Sequence, residues 1–337
     1  MTSTPEPTPI SSGDVRWGIL ATGGIARTFT RDLIQHRHRV TSVGSRSLDR
    51  AQRFAGEFDI PNAHGSYEAL VADPEVDAIY VSTPHIFHAA NAQAALEHGK
   101  HVLVEKAFTI NAAEARETIA LARDRELLVL EAMWTRFLPH MAYVRQTIAD
   151  GTIGDIRSVQ AEHGQHLPTD PTHRLNAPEL GGGALLDLGV YPLSFAHDIL
   201  GVPEEITAAG TLGPTGVDTE VATIMRHEEG RLSTSYSSLV SRSRNTAQVL
   251  GTAGRIEIGS VWYTPASVAV YDAENQLVDT FEQPVSGRGM QYQATEMEQL
   301  IDAGATESRL MSLDDSVAVM ETMDQVRAVL GVRYPTE

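Results

Sequence analysis

The chain has 337 residues, no cysteine and a formal net charge of −18 at pH 7. This length suits two domains, and the lack of cysteine excludes disulfides, thiol nucleophiles and cysteine-bound zinc. The acidic balance disfavours nucleic acid and anionic membranes as partners, and no apolar run is long enough to cross a bilayer. Residues 1–14 are polar and proline-rich without the regions of a signal peptide, so we predict a disordered tail and a cytoplasmic protein.

Short apolar runs alternate with helical patterns through the first half of the chain. The predicted strands, each followed by a helical pattern, cover residues 15–21, 38–45, 77–84, 101–108 and 127–134. Regular alternation of strand and helix favours a parallel, doubly wound sheet. We therefore predict an α/β protein whose first domain, residues 15–135, is a Rossmann domain.

Strand patterns follow one another more directly after residue 136. The predicted strands are 156–164, 204–212, 220–227, 231–240, 246–259, 267–272 and 276–283, and two helices close the chain. Adjacent strands joined by short turns favour an antiparallel sheet. Residues 136–337 are thus predicted to form a second, α/β domain with a mainly antiparallel sheet.

The segment WGILATGGIARTF, residues 17–29, has a strand–turn–helix pattern with closely spaced glycines. Gly23 would allow close approach of a pyrophosphate, and the amides of Gly24 and Ile25 would face it at a helix N-terminus. Ala21 stands where the dinucleotide fingerprint has its first glycine, so we predict a backbone conformation there that alanine tolerates. A glycine-rich turn without a ligand is the alternative.

The end of the second predicted strand bears on the kind of dinucleotide. An NAD site would place an acidic residue there, but the sequence is GSRSLDR, residues 44–50. Ser45 and Arg46 suit a 2′-phosphate, whereas Asp49 is predicted to lie in the first turn of the next helix. These residues favour NADP over NAD, with a solvated surface arginine as the alternative for Arg46.

Two further groups of polar residues are candidates for catalysis. Glu105 and Lys106 end a predicted parallel strand, where ligands bind in doubly wound sheets, although a solvent-facing salt bridge is the simpler alternative. Asp187 and Tyr191 are four residues apart in a helical pattern, so a carboxylate and a phenol would share one face. A capping aspartate and a packed tyrosine are the alternative there. Pro192 is expected to bend this helix.

The histidine pairs have no metal-site context. His85 and His88, like His163 and His166, are three residues apart, but no carboxylate-bearing zinc motif accompanies either pair. We predict no functional metal.

Residues 15–335 resemble the Gfo/Idh/MocA oxidoreductases. The segments that carry the resemblance are ILATGGIA, AIYVSTPHIFHAANAQAALEHGKHVLVEKAF, EAMWTRFLPH and GGGALLDLGVYPL. They are most similar to the branch of dimeric dihydrodiol dehydrogenases and NADP-dependent D-xylose dehydrogenases. This resemblance implies a Rossmann domain followed by an α/β domain whose large, open, mainly antiparallel sheet forms a homodimer face. The family's Glu-Lys-Pro motif is Glu105-Lys106-Ala107 here, which removes the usual reason for a cis peptide bond.

The resemblance also implies a cofactor site. Thr22, Gly23, Gly24 and Ile25 would approach the pyrophosphate, and Ser45 and Arg46 would take the 2′-phosphate. The other residues expected to line the cofactor are Ser82, Thr83, Pro84, His88, Glu105, Lys106, Trp134 and Arg136.

The implied reaction is hydride transfer between NADP and a secondary alcohol or hemiacetal carbon of a pyranose sugar or cyclic diol. Tyr191 is the expected base, Lys106 is the alternative base, and Asp187 orients the substrate. His163 and Arg174 are expected at the substrate, where their polarity favours a sugar. The rival functions are a glycosidase that retains NAD for transient sugar oxidation and a non-catalytic sugar or NADP sensor.

Overall fold

The computed structural model describes residues 14–337, so the predicted tail lies outside the described residues except for Asp14. The chain forms two compact units. Residues 14–109, 113–137 and 285–316 form the Rossmann unit, and residues 110–112, 138–284 and 317–337 form the sheet unit. The single boundary between residues 135 and 136 stays a prediction. In the structure, a late segment of the chain groups with the Rossmann unit.

The Rossmann unit alternates strands and helices as the sequence predicts. Its elements are β1 (Arg16–Leu20), α1 (Gly24–Gln35), β2 (Arg39–Gly44), α2 (Leu48–Phe58), β3 (Asn62–His64), α3 (Tyr67–Val71), β4 (Ala78–Val81), α4 (His88–Glu97), β5 (His101–Glu105), α5 (Ala112–Asp124) and β6 (Val129–Ala132). All neighbouring strands are parallel, in the order β3-β2-β1-β4-β5-β6. This confirms the doubly wound sheet. The short elements β3 and α3 were not predicted.

Burial explains why the strands of this sheet read as continuous apolar runs. Strand β4 is buried at every position, and β1 and β5 are buried at all but their first. A parallel sheet covered by helices on both faces needs such strands. Trp17 and Phe29 lie in this core, where the rings of Phe29 and Tyr80 stack with centroids 3.9 Å apart.

The sheet unit is built on eight strands. Its elements are α6 (Pro139–Ala149), β7 (Ile156–Gly164), α7 (Val190–Leu200), β8 (Glu205–Leu212), β9 (Asp218–Arg226), β10 (Leu232–Ser238), β11 (Ala247–Gly251), β12 (Gly254–Ile258), β13 (Val268–Asp272) and β14 (Leu277–Phe281). The strand order is β14-β13-β12-β11-β7-β10-β9-β8, and only the β7–β10 pair is parallel. The predicted mainly antiparallel sheet is thereby confirmed.

One predicted strand, residues 246–259, is in fact the hairpin of β11 and β12. Their pairing is antiparallel, with Ala247 opposite Ile258. A Cβ atom at Gly254 would lie 2.2 Å from the Tyr271 carbonyl oxygen, so the turn end of the hairpin packs too closely for a side chain. Apolar runs on both sides of the turn conceal this break in the sequence.

Two helices, α8 (Gln291–Asp302) and α9 (Leu313–Leu330), follow the second sheet in the chain. Helix α8 belongs to the Rossmann unit, where its buried Glu298 carboxylate bonds to two other residues. The Trp17 indole nitrogen lies 2.7 Å from Glu298 Oε1, and His38 Nδ1 lies 2.8 Å from the same oxygen. Among residues 14–337, no helix combines the length and the apolar character that a membrane span needs.

Candidate active site

The turn between β1 and α1 forms an open loop at the carboxyl end of the sheet. Gly23 caps α1, and added Cβ atoms at Gly23 and Gly24 would meet no atom within 4 Å. Ile25 is 38% exposed, and the first turn of α1 contains no acidic residue. Exposed amides at a helix N-terminus without a nearby carboxylate fit a pyrophosphate. Thr22 precedes them and is half-buried.

Ala21 corrects one expectation about this loop. Its φ is 90°, in the region that favours glycine, whereas the sequence predicted a conformation that alanine tolerates. The Ala21 amide donates to the Gly44 carbonyl oxygen at 3.0 Å. Pairing with the end of β2 thus fixes the turn, and alanine takes the conformation of the glycine it replaces.

The carboxyl end of β2 presents no acidic side chain. Ser45 is buried, with its amide donating to the His64 carbonyl oxygen at 3.1 Å. Arg46 is exposed beside Tyr67. Among residues 14–337, no carboxylate forms an ion pair with Arg46. Asp49 lies in the first turn of α2, as expected. A positive side chain is therefore available at the position where a ribose-binding acid would stand.

The loop after β4 is fixed by internal hydrogen bonds. The Ser82 hydroxyl donates to the Leu20 carbonyl oxygen at 2.9 Å, and Pro84 caps a 3₁₀ turn, His85–Phe87. His88 is 1% exposed and lies between two carbonyl oxygens, those of Thr83 at 2.8 Å and Ala107 at 2.9 Å. Burial lowers the pKa of His88 to about 4, so a neutral imidazole donates to one of them. His88 joins this loop to the segment that contains Lys106.

Glu105 and Lys106 end β5 at the same edge of the sheet. Glu105 is buried and accepts a hydrogen bond from the Tyr80 hydroxyl, whereas Lys106 is half-buried. The Lys106–Ala107 peptide bond is cis, although residue 107 is alanine and not proline.

Trp134 and Arg136 lie in a buried 3₁₀ turn, Trp134–Phe137, after β6. Arg136 is committed to the protein interior, since it pairs with Asp315 at 3.1 Å and donates to the Leu310 carbonyl oxygen at 3.2 Å. The guanidinium of Arg288 lies 5.3 Å from the centroid of the Trp134 ring. Sequence reasoning missed Arg288, because nothing in its loop marks it as a neighbour of Trp134.

In the sheet unit, the helix with Asp187 and Tyr191 starts with a π turn, Leu185–Gly189, that continues into α7. Pro192 lies in the first turn of α7, directly after this change in hydrogen bonding. Asp187 and Tyr191 are each 7% exposed. Arg174 Nη1 lies 3.0 Å from Asp187 Oδ1, so two of the predicted substrate residues form an ion pair. π turns are frequent at functional sites.

His163, near the end of β7, contacts the helix that carries Tyr191. Its ring meets the Tyr191 ring edge-on with centroids 5.0 Å apart, and it stacks on Tyr263 at 3.7 Å. Gln165 Nε2 lies 2.8 Å from His163 Nε2 and 3.3 Å from the Tyr263 hydroxyl. Sequence reasoning missed Tyr263, because it lies about 100 residues after His163 in the chain. Gln165, just after the end of β7, was a weak indication of further polar residues near His163.

Each unit therefore gathers one set of predicted residues. In the Rossmann unit the predicted residues lie at the carboxyl ends of parallel strands. They are Thr22–Ile25, Ser45–Arg46, Ser82–Pro84 and Glu105–Lys106. In the sheet unit one helical segment carries Asp187, which pairs with Arg174, and Tyr191, which meets the His163 ring. The described part of the chain contains no group of three or more residues suited to hold a metal ion.

Comparison with known proteins gives matches over most of the chain. Residues 15–133 match the model of an oxidoreductase family with an NAD-binding Rossmann fold, and residues 141–257 match the GFO/IDH/MocA C-terminal domain. The trans-1,2-dihydrobenzene-1,2-diol dehydrogenase of Bos taurus is 36% identical over 337 residues, covering 96% of this chain and 99% of the relative. The Xenopus laevis enzyme of the same name is 37% identical over 329 residues, with 95% and 99% covered.

Solved structures give the same architecture. A 3-ketoreductase from Actinomadura kijaniata in complex with NADP and TDP-benzene has a TM-score of 0.83 at 28% identity, covering 93% of this chain and 97% of its own. An aldose-aldose oxidoreductase from Caulobacter crescentus has a TM-score of 0.85 with 94% and 97% covered, but at 21% identity it shows the fold alone.

A Rossmann sheet with an open glycine-containing loop, joined in one chain to a second α/β unit, matches the two domains of a nucleotide-dependent oxidoreductase. The chain belongs to the Gfo/Idh/MocA family of oxidoreductases. This confirms the resemblance carried by the sequence motifs.

Proposed function

We propose that the protein is an NADP-dependent dehydrogenase or reductase that transfers hydride at a secondary alcohol or hemiacetal carbon of a pyranose sugar or cyclic diol. The observation that carries the proposal lies at the carboxyl ends of the parallel strands. The N-terminus of α1, which has no acidic residue in its first turn, lies there with Arg46 and Lys106.

The preference for NADP rests on charge. A 2′-phosphate on a protein of net charge −18 needs local positive charge, and Arg46 is exposed without a carboxylate partner in the described chain. Ser45 and Ser47 flank it with further donors. The complex of the 3-ketoreductase relative with NADP supports this choice.

The catalytic roles follow the chemistry of the side chains. When bound, NADP⁺ supplies the acceptor for the hydride. Tyr191, in its phenolate form, removes the proton of the substrate hydroxyl and becomes the phenol, and Asp187, which pairs with Arg174, orients that hydroxyl. Lys106 stabilises the oxygen as it loses its proton, or acts as the base in place of Tyr191. Variants of the 3-ketoreductase with a replaced lysine or tyrosine have been crystallised, which makes these two residue types obvious targets.

The substrate class rests on polarity and on the relatives. Arg174, His163 and Gln165 give the sheet-unit site several hydrogen-bonding groups, which suit a substrate with adjacent hydroxyls. The vertebrate relatives are named for a cyclic diol, and the bacterial structural relative for reduction of a ketone.

We further propose a cytoplasmic homodimer. The outer face of the eight-stranded sheet bears a concavity of about 1010 Å³, lined by residues that include Gln160, Ile224 and Tyr236. Ile224 lies on β9, next to the edge strand β8, and is 56% exposed on this face, so a second copy would cover it. An Ile224→Asp variant is expected to be monomeric by light scattering, whereas an unchanged dimer would contradict this interface.

The reaction is tested by following NADPH absorbance with trans-1,2-dihydrobenzene-1,2-diol, D-xylose and D-glucose. Lys106→Ala and Tyr191→Phe are each expected to lower kcat by about 10²–10⁴ fold, and Tyr191→Phe to do so without loss of NADP⁺ binding. Tyr271→Phe, a change of the same kind on β13, serves as the control.

The rival functions give different results in the same experiment. A glycosidase would carry tightly held NAD through purification and cleave glycosides without added cofactor. A sensor would bind NADP⁺ or sugar but show no turnover that depends on Lys106 and Tyr191. Either result would overturn the proposed reaction.

A further inference from the structure

A buried carboxylate lies at the start of the helix that carries Asp187 and Tyr191. Asp218, the first residue of β9, is 0% exposed. Its Oδ2 accepts a hydrogen bond from the Leu185 amide at 2.6 Å, and the Ala184 amide also faces it. The carboxylate therefore binds amides at the N-terminus of the π turn, where the helix dipole favours negative charge.

The loop before this helix is fitted closely to the same carboxylate. Gly183 has a φ of 126°, and a Cβ atom added there would lie 2.4 Å from Asp218 Oδ1. One residue earlier, the Gly182 carbonyl oxygen accepts a hydrogen bond from the buried Tyr334 hydroxyl at 2.6 Å. Two side chains distant in sequence thus hold consecutive residues of the loop.

Tyr334 is itself held by an ion-pair network. The Arg327 guanidinium lies 5.0 Å from the Tyr334 ring centroid and pairs with Asp324 at 2.6 Å and Glu337 at 2.8 Å. The Tyr334 amide donates to Glu337 Oε2 at 3.0 Å. Contacts with Arg327 therefore hold the segment after α9 in place independently of the bond from Tyr334 to Gly182.

Burial of the Asp218 carboxyl carries a desolvation cost. Burial raises the pKa of its carboxyl to about 6, against the amides of Leu185 and Ala184 and the charge of Arg327, which lower it. The titratable and charged groups facing it are Arg327 and Tyr334. A buried ionisable group at the root of a candidate catalytic helix points to a requirement for position.

We propose that Asp218 and Tyr334 are positioning residues that fix the loop Gly181–Gly183 and the π turn, and thereby set the placement of Asp187 and Tyr191. This inference rests on the proposed function for its catalytic consequence. Neither residue has to contact the substrate.

Hydrogen–deuterium exchange of the full-length protein tests the contact without any assumption about the reaction. Asp218→Ala is expected to raise exchange at residues 183–189 at least tenfold, and Asp218→Asn, whose amide oxygen still accepts from Leu185, to restore most of the protection. Tyr334→Phe is expected to raise exchange at residues 182–184 and keeps the test available if Asp218→Ala fails to fold. Asp272→Asn, on the same sheet, is the control. Unchanged exchange in Asp218→Ala or Tyr334→Phe would overturn the proposal, as would an Asn variant that behaves like Ala.

Kinetics on the best substrate of the three-compound panel test the consequence. Asp218→Ala and Tyr334→Phe are expected to lower kcat at least tenfold with less than a twofold change in the NADP⁺ dissociation constant, and Asp218→Asn to recover activity. Increased exchange with unchanged kcat and KM would refute the positioning role. A wild-type protein with no turnover would refute the proposed function instead, while the exchange data would still decide whether these residues hold the helix.

Discussion

Glu131 offers a test of the electrostatics in the Rossmann unit. It lies in β6, is 1% exposed, and within residues 14–337 neither of its carboxylate oxygens has a hydrogen-bond partner of ordinary geometry. Burial raises its pKa from 4.5 to about 7, against smaller opposing effects of Ser316, Arg136 and the Phe108 backbone. We therefore predict that Glu131→Gln stabilises the protein at neutral and alkaline pH.

The sign and size follow from the pKa difference. The folded state holds the Glu131 proton up to about pH 7, whereas the unfolded state releases it near 4.5, so the free energy of unfolding falls as pH rises between these values. A shift of this size corresponds to roughly 3 kcal/mol. Glutamine cannot ionise, so the variant avoids this loss and is expected to gain on the wild type over that range.

Urea unfolding at a series of pH values measures the difference directly. The stability of Glu131→Gln relative to wild type is expected to rise by about 3 kcal/mol from pH 4.5 to neutrality and to stay level above it. Glu117→Gln, an exposed change in the same unit, is the control. A difference that does not vary with pH would show that Glu131 ionises normally and would refute the reasoning.

Three further changes test the backbone at Ala21, the hydrogen bonds of Glu298 and the Arg174–Asp187 ion pair. Ala21→Gly is expected to raise the free energy of unfolding by roughly 0.5–1 kcal/mol, because relief of the positive φ outweighs the added chain entropy; a thermal melt that shows destabilisation would contradict this. Glu298→Ala leaves two buried donors without their acceptor and is expected to lower the free energy of unfolding in urea by about 3 kcal/mol. An unchanged urea midpoint would contradict this. Arg174→Ala is expected to raise the substrate KM about tenfold, since Asp187 loses its partner, and an increase in the NADP⁺ dissociation constant instead would point to a cofactor role.

Much of the architecture was predictable because strand patterning is strong where burial is complete. The predicted strand at residues 156–164 coincides with β7, and the buried strands of the parallel sheet were found within a few residues. Strand β3 has three half-buried residues and carries no such pattern. Residues 285–316 meet the Rossmann unit through contacts such as Glu298 with Trp17 and Arg288 with Asp32, which local sequence does not encode.

The candidate site could be proposed from sequence where chemistry and position coincide in a motif, as at Lys106 and Asp187, whose roles stay predictions. It was not predictable where distant segments supply the contacts. Arg288 over Trp134 is such a case, and the Tyr334 contact with Gly182 is another. The left-handed backbone at Ala21 was also missed, because pairing with β2 overrides the preference of alanine.

The most direct test of the central claim is titration calorimetry of NADP⁺ and NAD⁺ with the purified protein and two arginine variants. Arg46→Asp reverses the charge at the carboxyl end of β2, and Arg39→Asp makes the same change at the exposed opposite end of that strand. We predict that wild type binds NADP⁺ more tightly than NAD⁺, that Arg46→Asp weakens NADP⁺ binding at least tenfold more than NAD⁺ binding, and that Arg39→Asp changes neither affinity. A preference for NAD⁺, or a bound cofactor that does not exchange, would contradict it.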